Sequence, residues 1–255
     1  MIFVIFLLLL LFFFPLPPPY SCCFLDPPPP LPPFLDSFLL HQGLEHGRVM
    51  AMYERTAAGY HAMMAGELGK PLYTETLPAF GRACLPDQTG VVDVGCGSGE
   101  MLGLLRQTLP AAIKLYGVEP CAQMRELARA QVGANTELLE GTATALPAAL
   151  PAKLGGLLCC FVLHHVPASQ LAPMAAAWAA RLAAGAPVLL VAWVGDGSLF
   201  EYPDCDVKGV AHTVAALRTA LEQAGCAVTS ETSATDPDLG MEYVVLLAAK
   251  ETNNK

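Results

Sequence analysis

Three groups of residues in this 255-residue chain have types and spacings that could do chemistry. The sharpest is VVDVGCGSGE, Val91 to Glu100, an apolar strand-like run that ends in Gly95, Gly97 and Gly99 before a helix-like stretch. Glycines at a strand-to-helix turn allow a tight bend and let a ligand lie against the main chain with no Cβ in the way. A dinucleotide loop reads G-x-G-x-x-G, so that a pyrophosphate reaches the helix N-terminus. Here the residue three after Gly97 is Glu100, whose carboxylate repels phosphate. G-x-G-x-G with acidic neighbours fits a ligand carrying an ammonium and a sulfonium, and a plain tight turn is the other reading. The second group is Glu119, at the end of KLYGVE and 24 positions after Gly95. A carboxylate at the end of a second strand lies beside the glycine turn, where it can accept two hydrogen bonds from a ribose diol. The third is His164 and His165 in VLHHVP. Histidine is the side chain matched to proton transfer near neutral pH, and His164 is the candidate base of the pair. Two adjacent histidines are too few ligands for a metal, so no metal site is expected.

These groups need elements to position them. From residue 47 to 65, HGRVMAMYERTAAGYHAMM places Met52, Tyr53, Ala57 and Tyr60 on or near one face of a lead-in helix. A second helix is expected from Leu72 to Cys84, between Pro71 and Pro86. After DQTG, strand-like runs begin at residues 91, 113, 136, 156, 187, 227 and 242, with helices between them near 99–107, 121–133, 170–183 and 213–224. Such alternation specifies βαβ units and a parallel sheet covered on both faces. Only ATDPDLGM separates the last two strands, too short for a parallel crossover, so they form an antiparallel hairpin. The expected fold is α/β and Rossmann-like: a seven-stranded, mostly parallel sheet with one antiparallel strand near the edge and helices on both faces. In an open sheet of this kind, ligands bind at the carboxyl ends of the strands, where all three groups lie.

Composition narrows the function. The net charge of −9 has the wrong sign for a phosphate backbone, so nucleic acid is not expected as a partner. Nine cysteines without C-x-x-C or Cys/His spacing suit a reducing compartment. The mean hydropathy of +0.45 is raised by residues 1–40, which hold ten of the 22 prolines and two charged side chains, Asp26 and Asp36. The apolar run 1–14 would span about 21 Å as a helix, short of a hydrocarbon core of about 30 Å. It lacks a basic n-region and a small-x-small cleavage site, so both a leader or anchor and a disordered extension remain open. Two locations follow: cytoplasmic, or membrane-associated through residues 1–14 if the leader is real. The domain reading is an apolar, Pro-rich segment over 1–40 and one domain over 41–255, with lead-in helices 47–86 and a core over 90–250.

The chain resembles the class I S-adenosylmethionine-dependent methyltransferases, in the small-molecule branch with the type 11 or type 25 domain. The resemblance covers about Tyr53 to Lys250 and rests on YERTAAGY, VVDVGCGSGE, GVEP before CAQMRELARAQ, LLEGTATALP, and CCFVLHHVP. It implies S-adenosyl-L-methionine as cofactor and transfer of its methyl group to a small-molecule acceptor by in-line displacement. Gly95, Cys96 and Gly97 would lie against its methionine and ribose, with Asp93 toward its amino end. Glu119 would bind the ribose hydroxyls beside Pro120, and Cys121 or Met124 would flank the adenine. Where the family usually has Asp after the glycine of EGTATALP, this chain has Thr142, so the backbone amide of Ala143 is left to serve adenine. Cys160 and Phe161 would lie near the transferred methyl, and Tyr53 and Tyr60 would cover the site. His164 would act as base only where the acceptor must lose a proton.

Two further departures affect turns: Leu154-Gly155 replaces Phe-Asp, and Ala184-Gly185-Ala186-Pro187 replaces Lys-Pro-Gly-Gly. They and Thr142 sustain a second reading, a cofactor-binding but inactive scaffold or regulatory protein. A third, a nicotinamide-dependent oxidoreductase, is disfavoured by Glu100. The insert GDGSLFEYPDCDVKG, residues 195–209, holds Asp196, Glu201, Asp204 and Asp206; either it attracts a cationic amine acceptor or it is a solvated loop.

Overall fold

The computed structural model describes residues 44–86, 90–201 and 207–252. The expectations for residues 1–40, and for Asp204 and Asp206, fall outside these. Among the described residues no helix is long and apolar enough to cross a membrane.

The lead-in helix α1 spans Leu44–Glu67. The second helix begins differently from expectation. Leu72–Thr76 is a π-helical turn, and α2 proper runs Leu77–Ala83, with Pro78 in its first turn and Cys84 extended behind it. Proline is tolerated there because the first N–H groups of a helix have no intrahelical acceptor.

Seven strands follow in one sheet: β1 (Val91–Val94), β2 (Leu115–Val118), β3 (Thr136–Leu139), β4 (Gly156–Cys160), β5 (Pro187–Trp193), β8 (Cys226–Thr235) and β9 (Glu242–Lys250). Their order is β3-β2-β1-β4-β5-β9-β8. Strands β1 to β5 pair in parallel; β9 runs antiparallel to both β5 and β8, which makes it the reversed strand, one place in from the edge. A chain reversing through six residues can only return antiparallel. Helices α3 (Glu100–Thr108), α4 (Ala122–Gln131), α5 (Leu171–Ala180) and α6 (Val214–Gln223) connect the strands.

The period of two along the strands divides the core into layers. Val92, Val94, Leu157, Cys159, Val188 and Leu190 face one layer with Trp178 of α5 and Leu217 and Leu221 of α6. Val91, Leu115, Leu158, Leu189 and Val191 face the other, with Phe80 of α2 and Leu102 and Leu105 of α3. The insert after β5 is not a bare loop. Leu199–Glu201 (β6) and Lys208–Val210 (β7) pair as an antiparallel ribbon, with Phe200 opposite Gly209. A Cβ on Gly209 would lie 2.4 Å from Phe200 Cζ, so the ring lies flat on the glycine.

Candidate functional site

The carboxyl ends of β1, β2 and β4 open into a cavity of about 440 Å³. At its floor, the chain leaves β1 through Gly95, Gly97 and Gly99, all with positive φ (77°, 52° and 92°). The glycines serve different ends. A Cβ on Gly95 would stand 2.3 Å from Val162 Cγ2, so the main chain there is pressed against the turn that follows β4. A Cβ on Gly97 would meet only Tyr60 Cε1 at 3.7 Å, so this stretch of main chain faces open cavity.

Glu119 ends β2 and is buried. Its Oε2 accepts the N–H of Gly97 at 3.1 Å and its Oε1 accepts the N–H of Cys121 at 2.8 Å. Burial raises its pKa, opposed by those two backbone donors and by Arg125. Asp93 lies deeper, 1% exposed, and burial, then Glu119 and Glu100, push its carboxyl well up. Among the described residues Oδ2 of Asp93 has no hydrogen-bond partner. Two carboxylates beneath a glycine turn with an exposed main chain suit a cationic ligand, which would offset the cost of keeping both ionised. The residues present therefore fit the cofactor implied by the resemblance.

Glu100, the residue that argues against phosphate, turns away from the cavity. It accepts from Ser98 Oγ at 2.7 and 2.9 Å, pairs with His61 Nδ1 of α1 at 2.7 Å, and accepts from Gln131 Nε2 of α4 at 3.2 Å. It thereby ties the lead-in helix to the glycine turn.

The structure brings most of the expected residues to one place. Tyr53, Tyr60, Gly95, Gly97, Glu119, Pro120, Met124, Thr142, Ala143, Cys160, Phe161 and His164 all line the cavity. Asp93 and Cys96 do not; both are buried below the turn, with the Cys96 Sγ 2.7 Å from where a Cβ on Gly117 would stand. Cys121 is also buried, packed with Met124 and Ala57. Thr142 spends its hydroxyl within its own turn, accepting the Ala145 N–H at 3.0 Å. The turn is anchored from below, where Trp178 Nε1 donates to Ala143 O at 2.8 Å.

Phe161 carries the sole positive φ among the described non-glycine residues, 55°. It stacks on Trp193 at 4.4 Å and meets Tyr243 edge-on at 5.8 Å. Left-handed backbone at an aromatic residue costs on the order of 1–2 kcal/mol, held in place here by that aromatic packing.

His164 and His165 lie on a short 3-10 turn, Leu163–His165. Burial, then His165 and His212, push the His164 imidazole well below its ordinary pKa; burial and His46 bring His165 down to about 4. Both are therefore neutral at pH 7, and burial makes each a weaker base than a free imidazole. His165 Nε2 is 3.0 Å from the Tyr53 hydroxyl.

Sequence reasoning missed four contributors. His46 and Met50 line the cavity from α1; they share a face with Tyr53 at spacings of four and three, a signal present in the sequence. Lys208 lines it from β7, inside an insert read only for its acidic residues. His212, 2% exposed, donates from Nε2 to Leu163 O and Val166 O, both at 2.9 Å, and so holds the histidine turn. Nothing in the local sequence marks that contact. As for the acidic insert, Asp196 caps its own turn through the Ser198 N–H, and Glu201 lies 3.8 Å from Lys208. Neither lines the cavity.

Residues 91–185 match the family model of a methyltransferase domain. No curated protein sequence matches the chain. Among solved structures, the chain is similar to a SAM-dependent methyltransferase from Methanosarcina mazei at 16% identity and TM-score 0.55, over 65% of this chain and 95% of that one. It is similar to a SAM-bound amino pentose methyltransferase from Micromonospora echinaspora, involved in calicheamicin biosynthesis, at 20% identity and TM-score 0.55, over 75% and 96%. The chain that accompanies a methyltransferase activator in a Haloferax volcanii complex aligns at 17% identity and TM-score 0.62, over 79% and 99%. At these identities the likeness is one of fold.

Proposed function

We propose, for a chain whose residues 91–185 match the model of a methyltransferase domain, the S-adenosylmethionine-dependent transfer of a methyl group to a small-molecule acceptor by in-line displacement. The observation that carries the reading is the Glu119 carboxylate, set at the cavity's edge and tied to the Gly97 N–H, beside main chain that a side chain would cover. Each Glu119 oxygen accepts one backbone N–H and keeps a second lone pair for a ribose hydroxyl. Gly97 offers its backbone to the methionine part, Asp93 supplies negative charge beneath the amino end, and Met124 and Ala143 bound the adenine side.

The bound cofactor supplies an electrophilic methyl group on a sulfonium, a good leaving group. What remains for the protein is alignment and exclusion of water, with nucleophile and methyl about 3–3.5 Å apart. Tyr53, Tyr60 and Phe161 supply walls for that purpose, and α1 roofs the cavity through its contact with α4 and the His61–Glu100 pair. The small-molecule acceptor is favoured by the size of the cavity and by the acidic net charge, which opposes a nucleic-acid substrate.

Calorimetric titration of the full chain with S-adenosylmethionine, S-adenosylhomocysteine and NAD tests the reading. Binding of the two sulfur nucleotides and not of NAD is expected. No binding of either sulfur nucleotide overturns it. Binding of both, without turnover of any acceptor in a broad panel, leads instead to the scaffold, which the engaged hydroxyl of Thr142 favours.

A further inference from the structure

The cavity extends beyond the residues assigned to the cofactor. Val49, Met50, Val166 and Val210 line it further, together with His46, Gln170 and Lys208 and with Tyr53 and His165. Among the described lining residues the one carboxylate is Glu119, which is tied to Gly97 and Cys121, so no other lining carboxylate complements an ammonium group. What this part of the lining also offers is a hydrogen-bonded pair. Tyr53 Oη lies 3.0 Å from His165 Nε2, and the two rings meet edge-on with centroids 5.6 Å apart. Each partner is held from outside the cavity: Tyr53 by α1 and His165 by the turn that His212 fastens.

We propose that the methyl acceptor carries an ionisable hydroxyl, phenolic or enolic, and that Tyr53 and His165 together take up its proton. The inference rests on the methyltransferase reading. A hydroxyl oxygen that gains a methyl must lose its proton or end as an oxonium, so such an acceptor needs a base where an amine already neutral does not. In this relay the Tyr53 hydroxyl is the donor to Nε2 of His165, which requires the His165 proton on Nδ1, and Tyr53 Oη receives the acceptor's proton. As the acceptor oxygen bonds to the methyl carbon, its proton passes to Tyr53 Oη and the Tyr53 proton passes to His165 Nε2. The O–H electron pair stays on the acceptor oxygen, and the C–S pair leaves with sulfur. One positive charge is lost at the sulfonium and one gained at His165. A buried pair can host that exchange because no net charge is created in the site. The base is thus His165, acting through Tyr53. His164, the residue favoured by sequence, is 4% exposed and packs against the back of the His165 ring, centroids 4.0 Å apart. It supports His165 rather than receiving the proton.

The test is binding before it is turnover. The full chain, saturated with S-adenosylhomocysteine, is titrated with para-nitrophenol and with para-nitroanisole, which lacks the hydroxyl. The unsubstituted protein is expected to prefer the phenol by about five- to tenfold, the worth of one hydrogen bond. Tyr53→Phe removes that preference and leaves the affinities for the anisole and for S-adenosylhomocysteine within about twofold. His165→Gln, whose carboxamide oxygen still accepts from Tyr53, keeps the preference. With S-adenosylmethionine and the phenol, it loses kcat by about a hundredfold or more while KM holds. A phenol preference unchanged in Tyr53→Phe overturns the relay. Failure of both probes to bind while S-adenosylhomocysteine binds overturns the acceptor class. Failure of S-adenosylhomocysteine itself overturns the methyltransferase reading beneath it.

Discussion

The Glu119 carboxylate accepts the Gly97 N–H at 3.1 Å, so the end of β2 and the glycine turn after β1 form one rigid unit. The same side chain accepts from Cys121 at 2.8 Å and so also caps the entry to α4. An Asp, one methylene shorter, could not span both donors. Glu119→Gln keeps one acceptor oxygen but turns an NH₂ toward a backbone N–H. It is expected to lower S-adenosylhomocysteine affinity by about tenfold or more and to cost about 1–2 kcal/mol of stability. Calorimetry and urea unfolding of the same preparations measure the two effects.

The glycines of the turn separate stability from binding. Gly95→Ala forces a Cβ to 2.3 Å from Val162 Cγ2 at a φ of 77°. The clash involves the turn that carries the histidines, and a loss of about 2–4 kcal/mol is expected in urea unfolding. Gly97→Ala at φ 52° has ordinary clearance to Tyr60, so only about 1 kcal/mol of backbone strain is expected. Its methyl would instead occupy cofactor space, and cofactor affinity should fall more than stability does.

Asp93→Asn should move stability and affinity in opposite directions. Burial raises the folded-state pKa of Asp93, so the stability linked to it is fully present below the unfolded carboxylate value and is lost as pH rises through the folded value. Ionising this buried carboxyl therefore costs the ligand-free protein stability. Replacement by Asn is expected to stabilise it by about 1 kcal/mol and to weaken binding of S-adenosylmethionine. Destabilisation at pH 7 would show that Asp93 is ionised and well partnered.

The histidine turn should make the protein acid-labile. For His165 the folded-state value of about 4 lies below the ordinary 6.5, so protonation disfavours the fold, and stability is lost as pH falls from about 6.5 toward 4. Over that window the loss attributable to His165 is about 3 kcal/mol, at about 1.4 kcal/mol per pH unit. His164 and His212, also lowered by burial, act in the same direction, while Asp93 and Glu119, raised by burial, act in the opposite one. His165→Gln is expected to flatten the fall in urea midpoint between pH 7 and pH 5. An unchanged slope would place the proton uptake elsewhere.

Trp178→Phe tests whether the turn at Thr142 to Ala145 depends on its anchor. The ring remains to fill the core, but the Nε1 donor to Ala143 O is lost and a buried carbonyl is left unsatisfied. A cost of about 1–3 kcal/mol is expected, together with weaker S-adenosylhomocysteine binding through the loosened turn.

Local pattern alone determined the sheet of this protein and the glycine turn with Glu119 beside it. A run such as VVDVG, buried on both faces, and helices of regular spacing between strands admit few topologies. ATDPDLGM, too short for a crossover, settles the one reversed strand. The glycine turn and Glu119 were legible for the same reason: a backbone that must take positive φ beside a ligand restricts residue type at short range. The pairing of Tyr53 with His165 was not legible. His165 meets Tyr53 across 112 positions, and His212 reaches the Leu163 carbonyl across 49, contacts that no periodicity encodes. The adjacent imidazoles of His164 and His165 are equivalent in the sequence; both line the cavity, and it is His165 whose Nε2 comes within 3.0 Å of the Tyr53 hydroxyl. Likewise Lys208, in an insert that reads as acidic, comes to the cavity only because the β6–β7 ribbon folds back over it. Side-chain roles in this part of the cavity depend on which distant elements pack together, and only the tertiary structure decides that.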